Sequence, residues 1–275
     1  MDNIYCINWH FNHSVDEQVH HFCEGRIVLG VAMLNKHDWL TLHRVRFSEV
    51  IDGRGNPMPP PTNAEFFRFS PESPIQGDGL RGSEGDTWGG FALYKSKEDA
   101  EAVFNDPQAH LPFLDRAVEA WHALVVPYAH RGGVQWRDTL EQDSAITVAP
   151  SDPKGPLIVL TTAGYTDPGP EDVGRIKEFN TGIDKVLEYY GTLPGNLRHA
   201  LFSGGAVDGR EGCTMTLWRD DMTMMGAAYK SGGHKEQLDQ HNRAAMFDHS
   251  SFTRGRVMAS KGTWAGNNPI DEISG

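Results

Sequence analysis

The sequence predicts an α+β fold, in which two tandem ferredoxin-like units form a dimeric α+β barrel. Three observations carry that expectation. The segment Thr87-Trp88-Gly89-Gly90-Phe91-Ala92-Leu93-Tyr94-Lys95 returns 124 positions later as Glu211-Gly212-Cys213-Thr214-Met215-Thr216-Leu217-Trp218-Arg219. A repeat of that period exceeds a solenoid unit and marks two copies of one small domain. Each half then reads as strand, helix, two strands, helix, which is the ferredoxin-like order, and two such units joined face to face give a barrel.

Residues 1–25 form an N-terminal extension, and residues 26–141 form the first lobe. Arg26 to Leu34 is apolar and β-branched over strand length, and Asp38 is positioned to cap a helix running through Val50. A Gly/Pro-rich insertion at 52–85 follows, enclosing a short strand at Glu65 to Phe69. So long an irregular connection is a functional lid or a mobile loop. A strand at Trp88 to Tyr94 leads into a helix-rich stretch from Lys97 to about Tyr128, carrying Leu114, Val118 and Trp121 at helical spacing. Pro107 and Pro112 must divide it.

The polar stretch from Gln142 to Lys154 links the lobes, and residues 155–275 form the second. It opens with a strand at Pro156 to Thr162 and a helix from Pro170 to Tyr190. Strands at Leu197 to Ser203 and Cys213 to Arg219 flank the turn Asp208-Gly209, which makes them antiparallel neighbours. Helical pieces begin at Asp220.

Composition narrows the function. A net charge of −12 with no concentrated Lys/Arg stripe argues against a nucleic-acid partner. Three cysteines, Cys6, Cys23 and Cys213, make no disulfide framework and fit a reducing compartment. No signal peptide and no membrane-length apolar run is visible, so a cytoplasmic protein without a membrane span is expected.

The usual motifs for phosphate cradling, dinucleotide binding, zincin hydrolysis and nucleophile elbows are missing. That leaves the histidines. His234 follows Ser231-Gly232-Gly233, where a helix restarts after a glycine break, so its imidazole is free to enter a cavity. A neutral imidazole there suits a haem iron, the metal ligand of this reading. Leu217, Met224, Met225, Ala228 and Met246 could then receive the macrocycle. The plainer alternative is a capping histidine beside an ordinary Met-rich core.

His110, at the equivalent place in the first copy, is the fallback. Cys213 ranks below His234 as a ligand because it lies mid-strand. His10, His13, His20 and His21 lack the carboxylate or cysteine set that would complete a metal site.

The stretch Thr214 to Met222, followed by Ala228-Tyr229 and Gly233-His234, resembles the spheroidene monooxygenase family of carotenoid-modifying enzymes. The family has a strand ending in a Leu-Trp pair, a helix, a small-residue turn and a histidine. Phe247, Phe252 to Val257 and Gly262 to Gly266 look like its closing helix and final strand. In the first lobe the likeness rests on Gly89-Gly90-Phe91 and Trp121. The N-terminal extension and the insertion at 52–85 depart from the family, so its substrate is not carried over.

The resemblance implies haem b in a dimeric α+β barrel, the use of O2, and His234 as the motif histidine. An iron-bound group needs a donor on its other side. Arg254, Arg256, His199 and His249 are the candidates, with Arg254 and His199 carried forward as catalytic residues.

The function expected is therefore that of a haem-dependent monooxygenase acting on a small or medium hydrophobic metabolite. Electrons would come from an external donor such as ferredoxin, since no flavin or nicotinamide motif is visible. Two alternatives stay open. One is a haem-dependent dehydratase or rearrangement enzyme on an N–O substrate, resembling aldoxime dehydratases. The other is a cofactor-free barrel that binds or oxygenates its ligand unaided. Strand edges left open by ferredoxin-like units are compatible with a homodimer.

Overall fold

The computed structural model describes residues 39–52, 58–73, 84–132, 135–136, 139–140, 145–147, 155–165, 168–202, 211–229 and 246–273. In chain order these form β1 (Trp39–Asp52), β2 (Phe66–Pro71), β3 (Glu84–Tyr94), α1 (Lys97–Asn105), α2 (Pro107–His110) and β4 (Ala117–Gly132). Short strands β5 (Gln135–Trp136), β6 (Thr139–Leu140) and β7 (Ala145–Thr147) follow. The second half contains β8 (Leu157–Gly164), α3 (Val173–Gly191), β9 (Asn196–Phe202), β10 (Glu211–Trp218), α4 (Asp221–Tyr229) and β11 (His249–Gly262). The class is α+β, with one large antiparallel sheet and few helices.

The main sheet runs β2-β3-β1-β4-β11-β8-β10-β9. Both four-strand blocks place their first and last strands at the centre, and β4 joins β11 between them. At the outer ends, Glu72 bridges Phe202 and the Ser73 amide donates to the Leu201 carbonyl at 2.7 Å. The sheet therefore curls until its edges meet, which removes the unpaired edges an open sheet would expose.

Side-chain alternation gives the sheet two buried faces. Leu40, Leu42, Phe91, Leu93, Trp121, Ala123, Val125, Leu160, Met215 and Leu217 share the inner cluster. Trp264 packs against Trp121 with ring centroids 5.3 Å apart, and the turn that delivers it is made by Ala265 and Gly266 at φ 59° and 95°. Outside, α1 covers Ala92, Tyr94 and Leu124, whereas α3 and α4 cover Leu157, Leu201 and Trp218.

The repeat is exact where the two copies are clearest. α1 spans 97 to 105 and α4 spans 221 to 229, so both ends keep the 124-residue offset. Their caps keep it too. Ser96 Oγ accepts from the Asp99 amide at 3.0 Å, and Asp220 Oδ1 accepts from the Thr223 amide at 2.8 Å.

Two expected helices are strands instead. The stretch expected as a helix from Asp38 to Val50 is β1 over its described part, because Leu40 and Leu42 face the inner cluster while Val45 and Phe47 face an outer one. A strand covered on both faces loses the clean alternation that would distinguish it from a helix. The helix-rich stretch ends early for the same reason. Trp121, Ala123 and Val125 face inward and Leu124 outward, which makes Ala117–Gly132 strand β4. Among the described residues no helix stands between β1 and β2. β2, β3, β8, β9 and β10, the helix beginning near Pro170 and the helix after Asp220 lie where expected, whereas the closing helix and final strand implied at Phe252 to Val257 and Gly262 to Gly266 are one strand, β11, and the turn after it. The strand at 26–34 and the turn at Asp208-Gly209 fall outside the described residues. No described helix is long and apolar enough to cross a membrane.

Candidate functional site

The site builds up on the outer face of the second half, where α4 meets β11 and β4. Its geometry starts from a proline. Pro127 has no amide hydrogen to give the ladder, and the β4–β11 register slips there: Arg254 pairs with Ala129 but Gly255 pairs with Pro127. Tyr128 is the extra residue, and a bulge of this kind re-aims its side chain. The Tyr128 hydroxyl donates to Asp221 Oδ1 at 2.6 Å. Burial, then that hydrogen bond, pushes its ionisation well above the usual tyrosine range, so the ring stays neutral.

Arg254 and Arg256 lie two apart on β11, and both guanidiniums come to the Tyr128 ring, at 5.9 and 5.2 Å from its centroid. Their partners differ. Arg256 donates to Asp221 Oδ2 at 2.6 Å and to the Gly155 carbonyl at 2.5 Å, while its Nε is buried without a partner. Arg254 reaches only the Met225 sulfur, at 3.8 Å. A thioether is a weak acceptor, so this cation has no carboxylate partner among the described residues.

The apolar floor comes from α4. Met224, Ala227 and Ala228 stand at helical spacing and pack with Leu157, Leu187, Tyr190 and Trp218. On the α3 side this layer is full, with Tyr190 edge-on to Trp218 at 4.9 Å. The α4 side is looser. Met225 and Arg254 are half-buried there.

The sequence candidates divide accordingly. Arg254, Met224, Met225 and Ala228 meet at this one place. Leu217 lies on the other face of the sheet, in the inner cluster, because it alternates with Trp218 along β10. His199 is on β9, three strands from β11 and roughly 14 Å across the sheet. It bonds Asn196 at 2.8 Å, and burial lowers its pKa. Arg254 and His199 therefore do not share a site. Met246 is buried just before β11, whereas Arg256 lies at mid-strand. Cys213 is 1% exposed inside the barrel, His110 ends α2, and His249 begins β11. His234 and the histidines of 1–25 fall outside the described residues. Tyr128 and Asp221 were not legible as site residues, although Pro127 preceding an aromatic is a bulge signal.

No protein-family model and no curated protein matches the chain. Solved structures do. An aldoxime dehydratase in complex with butyraldoxime superposes with a TM-score of 0.55 at 7% identity, covering 90% of this chain and 88% of its own. A second aldoxime dehydratase structure gives 0.51 at 8% identity, covering 83% and 84%. The chain shares its fold with aldoxime dehydratase. An anthrone oxidase-like protein aligns over 88% of this chain and 98% of its own at 14% identity, with a TM-score of 0.31.

A second buried polar group lies at the corresponding place in the first half, beneath α1. His43 Nδ1 is 2.8 Å from His122 Nδ1, and Thr41 Oγ1 is 2.8 Å from His43 Nε2 and 3.4 Å from the Tyr94 hydroxyl. Burial lowers both imidazole pKa values, that of His122 to about 4. Among the described residues no group of three or more metal-ligating side chains forms.

Proposed function

We propose that the chain is a haem-dependent oxidoreductase, a monooxygenase acting on a small or medium hydrophobic metabolite in the layer between α4 and β11. Its halves are then read as ferredoxin-like units, the first with its opening helix replaced. The observation that carries the reading is where the sequence resemblance lands. The Leu217-Trp218 strand end, the helix after it and Arg254 flank one half-open apolar layer with an unmatched cation at its rim.

The residues present fit haem b. Met225 is the half-buried apolar group at this seam, with Met224 and Ala228 in the packed layer beneath it, and Arg254 would supply a positive charge for a propionate. His234, a few residues beyond the end of α4, would hold the iron. When bound, haem supplies one-electron and O2 chemistry, with electrons from an external donor such as ferredoxin. The protein's own part is to exclude water, to keep Tyr128 protonated against Asp221, and to hold Arg256 fixed between Asp221 and Gly155.

A second reading keeps the haem and drops O2, giving a dehydratase or rearrangement enzyme on an N–O substrate. The fold shared with aldoxime dehydratase favours it. Oxygen uptake during turnover by the haem-loaded protein separates the two: consumption coupled to product supports the monooxygenase, and anaerobic turnover at an unchanged rate supports the dehydratase. A protein that takes up no haem and still turns over would leave the cofactor-free barrel.

A further inference from the structure

We propose that Arg254 is the anchor for a carboxylate group carried by an otherwise apolar ligand lodged between α4 and β11. This deepens the reading above by naming the chemistry of the ligand's polar end. It does not require the ligand to be haem.

The charges around Tyr128 do not balance among the described residues. Two guanidiniums approach one aromatic ring, and the described residues around them offer one carboxylate, Asp221. Both Asp221 oxygens are engaged, one by the Tyr128 hydroxyl and the other by Arg256. Tyr128 cannot supply a second negative charge, since burial and Asp221 hold its proton on. A surplus positive charge therefore sits at Arg254, half-buried, whose contacts among the described residues are the Met225 sulfur and the Tyr128 ring.

A half-buried guanidinium without a carboxylate is open to an anion from outside the chain. A planar guanidinium takes a carboxylate through two parallel hydrogen bonds, and the adjacent half-buried Met225 would receive an apolar body. The ligand that matches is amphipathic, with a hydrocarbon or macrocyclic body and a carboxylate end.

Two sources present that chemistry, the propionate of a haem and the carboxylate of a fatty-acid-like substrate. Binding measured at equilibrium for four probes distinguishes them: hemin, hemin dimethyl ester, decanoate and decanol, each against the wild-type protein, Arg254→Gln and Arg254→Lys. At least one free acid should bind about tenfold or more tightly than its ester or alcohol. That preference should vanish in Arg254→Gln and persist in part in Arg254→Lys. If decanoate shows this pattern while hemin does not bind at all, the anchor stands and the haem reading falls. If hemin binds equally well in all three proteins and decanoate binds in none, the haem reading stands and the anchor falls. Acid and neutral probes that bind alike, or fail to bind alike, overturn the proposal. Arg254→Lys keeps the test decisive should Arg254→Gln misfold, since loss of the acid preference with the charge retained would also contradict it.

Discussion

His43 and His122, 79 residues apart in sequence, place their Nδ1 atoms 2.8 Å from each other between the first-half sheet and helix α1. One nitrogen must donate and the other accept, so the pair is stable as two neutral rings and opposed to a second proton. Burial is the main cause of the lowered pKa of each. The facing His122 adds to it at His43, and Lys261 of β11 adds to it at His122.

The pair makes folding pH-dependent in a definite direction. With His122 at about 4 in the folded chain against an ordinary 6.5, the unfolded chain takes up the proton first. The stabilising contribution is complete above about pH 6.5 and is lost as pH falls through 6.5 towards 4, on the order of 3 kcal/mol. Urea unfolding between pH 4 and 8 should show stability rising with pH across this window. In His122→Gln the slope should be reduced, and an unchanged slope would remove the pair as its cause.

Two glycines should respond to alanine with opposite signs. A Cβ on Gly90 would lie 1.8 Å from the Arg68 carbonyl oxygen, which belongs to the paired strand β2 and cannot move aside alone. Gly90→Ala should cost about 3 kcal/mol and loosen the β2 edge that meets β9. Gly226→Ala, with nothing within 4 Å and a helical position, should raise stability by about 0.5–1 kcal/mol. Thermal unfolding of both variants checks the pair.

Trp264 closes one end of the barrel against Trp121 and beneath the Arg44 guanidinium, 5.2 Å from its ring. Trp264→Ala should cost about 3–5 kcal/mol. A loss below about 1 kcal/mol would mean that the C-terminal turn is not part of the core.

Asp221→Asn removes the charge that Arg256 and Tyr128 share. Stability should fall by about 1–3 kcal/mol, and an ultraviolet titration should show one tyrosine ionising at lower pH than in the wild type.

What the sequence disclosed followed from how its residues are buried. β8, β9 and β10 and the antiparallel pairing of β9 with β10 were legible because turn residues and apolar runs delimit them, and the echo between Leu93-Tyr94 and Leu217-Trp218 pointed to helices that do begin in register. β1 and β4 were misread as helical because both of their faces are covered. Leu217 was grouped with Met224 although β10 and α4 present them to opposite sides of the sheet, a separation that only the strand's alternation reveals. Arg254 was singled out from its neighbours in sequence. Its lack of a carboxylate partner depends on Tyr128 and Asp221 arriving from β4 and α4, which no local pattern encodes.

A histidine-ligated haem beside α4 is tested by the absorption spectrum of the protein purified from haem-supplemented cells, compared with that of His234→Ala. A Soret band at about one haem per chain that disappears in the variant is the predicted result. A colourless wild-type protein that also fails to bind added hemin would contradict the claim, and a band that survives the substitution would remove His234 as the ligand.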